Sequence, residues 1–275
     1  MSNADPTDLH IETFGPSECA EAVPVLLIQG VGMMGRAWQP QVDALRDQFR
    51  LAYYDNRGVG NSPGRPGNIQ QMGADALEVM DRLEWGVAHL AGHSLGGVIA
   101  QQAALLAPER VRSLALLCSF AEGRVVFTPS LGSAWANIKT VIGTGQMRRR
   151  AFFELVSDPA IAAEEAEIAV LERVFGRPLH RLPSATIAQV LALSRADFRL
   201  QLPGLQIPSL VVSAAEDKVA PPAQGRVLAE LLKGRYLQLP GGHACPVQQA
   251  QQLNQQLRLF WSAPEEFLRR GRASA

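Results

Sequence analysis

Ser94 lies in the stretch Gly92-His93-Ser94-Leu95-Gly96, a serine with a glycine two residues away on either side. A serine set in this way suits nucleophilic chemistry, in which the hydroxyl attacks a carbonyl carbon once a base has removed its proton. Five histidines are available as that base: His10, His89, His93, His180 and His243. His10 belongs to the polar start of the chain and His180 to a helical stretch. His89 sits inside an apolar run, and His93 inside the glycine motif, where its side chain is expected to point away from Ser94. His243 follows "QLPGG" and precedes Pro246, in a short loop from which an imidazole can reach a neighbouring strand end. The base in turn needs an anion to fix its tautomer. Asp217 closes the run "SLVVSAAED" and is the expected acid. Glu216 beside it points the opposite way on an extended segment. Glu122, which also follows an apolar run, is the alternative acid. The bland readings are a serine in a glycine-rich turn and a loop histidine bonded to its own surroundings.

Acyl transfer also calls for donors to the developing oxyanion. The backbone amides of Leu95, at a helix start, and of Val31, in the loop after "VLLIQG", are the expected pair. That loop spells Gly30, Gly32 and Gly35 as GxGxxG, which in other settings cradles a dinucleotide phosphate. Asp55 even follows at about 20 residues, where such a fingerprint places its acidic residue. The turn-rich "NRGVGNS" after Asp55 and the absence of any role for Ser94 in hydride transfer weigh against a cofactor. No cofactor and no metal are expected. The three cysteines, Cys19, Cys118 and Cys245, have no CxxC spacing, and the latter two read as buried thiols acting as small apolar groups.

These residues need a scaffold that brings them to one edge. "VPVLLIQG" (23–30), "FRLAYYD" (49–55), "VAHLAGH" (87–93) and "VRSLALLCS" (111–119) are short, unbroken apolar runs, as strands covered on both faces should be. Amphipathic helical patterns separate them, with Trp38, Val42, Leu45 and Phe49 in one and Met72, Ala76, Met80 and Leu83 in another. The alternation returns late, as strands over 207–217 and 234–242, a helix beginning at "PPAQGRVLAELL", and one final helix over 246–261. The fold class expected is α/β, a mostly parallel sheet flanked by helices on both faces. Residues 1–120 and 201–275 would form the core. Residues 121–200 hold no strand after "RVVF" but several helical patches, and read as an insertion between two strands. "RRR" (148–150) and "RRGR" (269–272) read as a solvated helix surface and a frayed tail.

Composition excludes several classes. The chain has 275 residues, 47% apolar and 19% charged, with 26 basic against 26 acidic residues and a net charge of zero. Neither nucleic acid nor an anionic membrane is an expected partner. The first residues lack a basic and apolar leader, and no run is long enough to span a bilayer, so a cytoplasmic location is expected. The expected partner is a small-molecule substrate, and a homodimer stays open.

With these pieces assembled, the chain resembles the α/β-hydrolase superfamily over residues 23 to 262. "GHSLGG" resembles its nucleophile elbow and "YYDNRGVGNS" its DxRGxGxS segment, while "SAAEDKVAPP" and "PGGHACP" occupy its acid and histidine loops. The sequence is most similar to small esterases, enol-lactone hydrolases and C–C bond hydrolases. The resemblance implies that the insertion is a helical cap, or lid, and that Asp55 and Arg57 brace loops. It departs in carrying Gln29-Gly30 where the family usually has His-Gly, and in its brief strands before residue 23. The expected function is a serine hydrolase cleaving an ester or lactone of a small, apolar or aromatic substrate through an acyl-enzyme. Ser94 is its nucleophile, His243 its base and Asp217 its acid, and Met33, Met34, Trp38 and Trp135 are expected in the pocket. The alternatives are C–C cleavage or another cofactor-free reaction on the same residues, or a ligand-binding receptor or scaffold.

Overall fold

A computed structural model describes residues 8–16, 23–127 and 138–272. Its centre is a seven-stranded sheet with spatial order β1-β3-β2-β4-β5-β6-β7. The strands are β1 (Ile11–Phe14), β2 (Val25–Ile28), β3 (Leu51–Tyr54), β4 (Ala88–His93), β5 (Val111–Leu117), β6 (Ser209–Ala214) and β7 (Arg235–Leu239). Neighbours run parallel from β3 to β7, and β1 alone is antiparallel, with Ile11 opposite Tyr54. The apolar runs of β2, β3 and β6 are buried at every position, because helices cover the sheet and water reaches neither side.

The order of the strands fixes where a site can form. The chain leaves β2 for β3 on one side, then crosses back to β4 on the other side of β2. Loops leaving the carboxyl ends of β2 and β4 therefore diverge, and open a crevice between them. The loop at residues 29–35 follows β2, and Ser94 follows β4.

The framing helices are α1 (Gln39–Leu45), α2 (Ile69–Arg82) and α3 (Leu95–Leu106). Asn68 caps α2 by accepting from the Gln71 amide at 2.8 Å, one of the donors a helix start leaves without a partner. α2 packs on α3. Between β5 and β6 lie α4 (Gly145–Val156), α5 (Glu165–Phe175) and α6 (Thr186–Ser194). Phe153, Ile168, Leu171 and Phe175 from these helices form a second apolar cluster, joined by Met33 and Ala244 from the sheet's loops. Arg149 ties α4 to α5 through Glu165 at 2.9 Å and Glu172 at 2.6 Å, and Arg150 pairs with Glu154 at 2.9 Å, so two of the three arginines of "RRR" form ion pairs on the helix surface. "RVVF" is not the end of a strand but part of a 3-10 turn, Gly123–Phe127.

Helix α7 (Pro222–Leu231) joins β6 to β7. The final helical stretch differs from expectation in two ways. It breaks at Gln249 into α8 (Cys245–Gln248) and α9 (Ala250–Ser262), because α8 turns Val247 toward the site while α9 buries Leu253, Leu257 and Phe260 against the main core and packs on α1. The expected frayed tail is instead α10 (Pro264–Arg272). It is anchored by Phe267, whose ring meets Phe260 edge-on at 5.4 Å and lies under the Arg235 guanidinium at 4.3 Å. Among the described residues no helix is long and apolar enough to cross a membrane.

Candidate active site

β4 ends at His93 and α3 begins at Leu95, so the whole turn falls on Ser94. Its backbone has φ 55° and ψ −119°, a conformation that costs a side-chain-bearing residue of the order of 1–3 kcal/mol. Two hydrogen bonds hold it there. The Ser94 amide donates to Leu117 O at 2.9 Å, and the Ser119 hydroxyl donates to Ser94 O at 2.9 Å. The flanking glycines answer a steric demand. A Cβ on Gly96 would lie 2.0 Å from Ile28 O, and one on Gly92 would lie 2.2 Å from Gly96 O.

Asp217 and His243 come together from loops after β6 and β7. Asp217 Oδ1 accepts from the amides of Val219 at 2.8 Å and Ala220 at 2.7 Å. Its Oδ2 lies 2.8 Å from His243 Nδ1. A carboxylate only accepts, so Nδ1 carries the ring proton and Nε2 is left with its lone pair. Both residues are buried. Glu216 is turned away, accepting from the Gly241 amide at 2.7 Å. Glu122, the alternative acid, is paired with Arg199 at 2.9 Å and does not meet His243.

His93 acts on His243 from behind. Its ring lies 4.8 Å from that of His243, and its Nε2–H donates to His243 O at 2.9 Å. Burial, and then the nearby His243, lower its pKa to about 3, which keeps it neutral. His89 is likewise held neutral, its pKa lowered to about 4 mainly by burial, with Nδ1 2.7 Å from the Ser113 hydroxyl. Cys118 and Cys245 are buried free thiols, as expected of small apolar groups. Cys118 also touches the acid: hydrogen bonding to Cys245, burial and the neighbouring Asp217 raise its pKa well above the usual value, so it stays protonated. Ring nitrogens of His93 and His243 and the Cys118 sulfur lie within 4.8 Å of one another. Each histidine commits one of its two nitrogens, His93 Nε2 and His243 Nδ1, to the hydrogen bonds just described, and the Cys118 thiol stays protonated, which disfavours a cation there.

The loop after β2 passes close to the serine, since a Cβ on Gly30 would lie 3.1 Å from Ser94 Cβ. Gln29, where a His was the familiar residue, folds back to accept from the Gly30 amide at 3.1 Å, and Asn56 donates to Gln29 O at 3.1 Å. The Gly32 residue is gripped on both sides from the stretch between β5 and β6. Its N–H donates to Gln189 Oε1 at 2.7 Å, and its carbonyl accepts from Arg177 Nε at 3.1 Å. The Val31 and Leu95 amides find no acceptor among the described residues. Asp55 is spent on the amides of Gly35 at 2.7 Å and Asn61 at 2.9 Å, and Arg57 on both oxygens of Asp75 at 2.7 Å. Both residues brace loops, with each Asp55 oxygen turned to a backbone amide.

Ser94 and His243 line one cavity of roughly 200 Å³, together with Val31, Met33, Phe120 and Phe152. The expected pocket residues fare unevenly. Met33 lines the cavity. Met34 does not: its side chain runs toward Gly60 and Gly176. Trp38 is fully buried in the main core, because the 3-10 turn Gly35–Trp38 carries it beneath the loop. Trp135 lies outside the described residues. Phe120, Phe175, Arg177, Thr186 and Leu193 line the cavity without having been singled out from the sequence. No local motif marks them: Phe120 is placed by the end of β5, and the others by how α4–α6 pack.

A family model for the alpha/beta hydrolase fold matches residues 23–246. A candidate carbamate hydrolase, RutD, of Variovorax paradoxus strain S110 is 32% identical over 92% of this chain and 95% of its own length. Its namesake from Rhizobium rhizogenes strain K84 is 29% identical over 94% of this chain and 99% of its own. The crystal structure of the enol-lactonase from Burkholderia xenovorans LB400 superposes with a TM-score of 0.78 at 27% identity, covering 92% of this chain and 96% of that one. Strand order, the sharp turn at Ser94 and the extent of the match agree, and the chain belongs to the alpha/beta hydrolase fold family.

Proposed function

We propose that this protein is a serine hydrolase that cleaves an ester or lactone of a small substrate through an acyl-enzyme. The observation that carries the reading is the shared cavity of Ser94 and His243, with His243 Nδ1 held 2.8 Å from Asp217 Oδ2. Ser94 Oγ attacks the substrate carbonyl carbon while His243 Nε2 takes the hydroxyl proton. The Val31 and Leu95 amides, which have no acceptor among the described residues, donate to the oxyanion. His243 then gives its proton to the leaving oxygen as the C–O bond breaks. A water, deprotonated by the same nitrogen, attacks the acyl carbon, and Ser94 recovers its proton on release.

Residues 121–200 serve as the lid over a core formed by 1–120 and 201–275. In support, α4, α5 and α6 supply Phe152, Phe175 and Thr186 to the cavity. The names of the relatives agree in chemistry, because lactones and carbamates, like esters, carry a carbonyl bonded to a heteroatom leaving group. Ser94→Ala tests the assignment. It should abolish hydrolysis of 4-nitrophenyl butyrate and labelling by a fluorophosphonate, with the thermal transition preserved. Wild-type turnover in that variant would refute it.

A further inference from the structure

The cavity beside Ser94 is mostly apolar, and among its lining residues only Arg177 carries a fixed charge. Arg177 stands just past Gly176, the left-handed residue that ends α5. Its Nε donates to Gly32 O at 3.1 Å, and its Nη1 to Arg181 O at 2.8 Å and Pro178 O at 3.3 Å. Among the described residues Nη2 meets only the Met33 thioether, a weak acceptor, at 3.5 Å. The guanidinium lies over the Phe152 ring, 5.4 Å from its centroid. No carboxylate forms an ion pair with it among the described residues. Glu172, whose charge acts on it at a distance, is committed to Arg149 and to the Leu179 amide.

Burial lowers the pKa of Arg177 to about 10, so it is still a cation at neutral pH. A partly buried cation served by carbonyls and a sulfur carries a desolvation cost that the charge of Glu172, at a distance, offsets only in part. Thr186 lines the same cavity, and its buried hydroxyl has no partner among the described residues.

We propose that Arg177, with the Thr186 hydroxyl, recognises an anionic group on the substrate, so that the enzyme selects acyl compounds carrying a carboxylate remote from the scissile carbonyl. The proposal rests on the serine-hydrolase reading and names the substrate class of that site. A single cation in an apolar cavity matches a singly charged carboxylate better than a phosphate dianion. The carboxylate would take its bonds from Nη2, whose present partner is the weakest of the four.

The test compares esters that differ only in that charge. The 4-nitrophenyl hemiesters of succinate, glutarate and adipate are matched with 4-nitrophenyl butyrate, pentanoate and hexanoate, in which a methyl replaces the carboxylate. At least one hemiester should exceed its neutral match in kcat/KM. In Arg177→Met that preference should fall about 10- to 100-fold, the worth of a charge-assisted hydrogen bond, and Arg177→Lys should keep part of it. An equal loss on charged and neutral esters would make Arg177 a strap on the Gly32 carbonyl and overturn the proposal. An unchanged preference would overturn it too. Ser94→Ala run alongside separates the two ideas. If it is inert while the preference ignores Arg177, only the substrate class is wrong. If it turns over both esters like the wild type, the serine reading falls and the proposal with it.

Discussion

Replacing Asp217 with Asn perturbs the site at a single atom, and the structure dictates which one. Two backbone amides, of Val219 and Ala220, point at Oδ1, and His243 Nδ1 faces Oδ2. In Asp217→Asn the two amides still require an acceptor, so the carboxamide oxygen takes the Oδ1 position. The NH₂ group must then face His243. A donor placed against Nδ1 forces that nitrogen to accept, which moves the ring proton to Nε2, the atom proposed to deprotonate Ser94. A base holding its proton on the wrong nitrogen costs about 10⁴ in kcat. KM should change little, because Asp217 does not line the cavity. The fold should survive with a loss of about 2 kcal/mol, since all three hydrogen bonds remain, the one to His243 reversed, while each loses its charged acceptor. Steady-state hydrolysis of 4-nitrophenyl butyrate from neutral to alkaline pH, with thermal unfolding as control, measures both. Activity within about tenfold of wild type would refute the tautomer argument. Glu122→Gln is the companion variant. Paired with Arg199 and remote from His243, it should leave kcat at the wild-type value. If instead it inactivates while Asp217→Asn does not, the acid has been assigned to the wrong residue.

Gly96→Ala should cripple the enzyme more than it destabilises it. Its Cβ would lie 2.0 Å from Ile28 O, so the turn at Ser94 or the end of β2 must move, at about 2–3 kcal/mol in chemical denaturation and with loss of most activity; near-normal turnover would refute the close approach. His89→Asn should flatten the acid side of the stability profile. With a folded pKa of about 4 against an ordinary 6.5, the unfolded chain takes up the proton first, so stability is lost as pH falls from about 6.5 to about 4, by about 3 kcal/mol for this group. The stability difference between wild type and variant should therefore shrink over that window, and a constant difference would contradict a neutral buried imidazole.

What could be read from the sequence follows the range of the forces involved. Strands β2 and β4–β6 stand out as unbroken apolar runs because covering on both faces is a demand each residue feels locally. Ser94 stands out because its turn needs glycine at Gly92 and Gly96, whose places a side chain would overlap. The pocket wall follows no such rule. Met33, Met34 and Trp38 are near neighbours in one apolar segment, yet a 3-10 turn sends the first to the cavity, the second toward Gly60 and Gly176, and the third into the core. The tail at 264–272 reads as charged and frayed until Phe260 and Arg235 are seen on either side of Phe267.

Arg177 shows most clearly what spacing cannot supply. In the sequence it is one arginine among many, and what distinguishes it is its place on the wall of the cavity with no carboxylate ion pair among the described residues, a place that exists only once α5 is folded over the β2 loop. The same fold places Gln189 on the N–H of Gly32 and Arg177 on its carbonyl. Both backbone polar groups of one residue, next to the proposed Val31 donor, are thus held by the segment proposed as the lid. A substrate anion that draws the guanidinium toward itself would loosen one of those two bonds at the moment the acyl group reaches Ser94. Substrate recognition and the setting of the oxyanion donor then share a single side chain. On that account Arg177→Lys, which keeps the charge but has no Nε–H to reach the Gly32 carbonyl in this geometry, should recover carboxylate preference in KM while losing rate in kcat; recovery of both would separate the two roles.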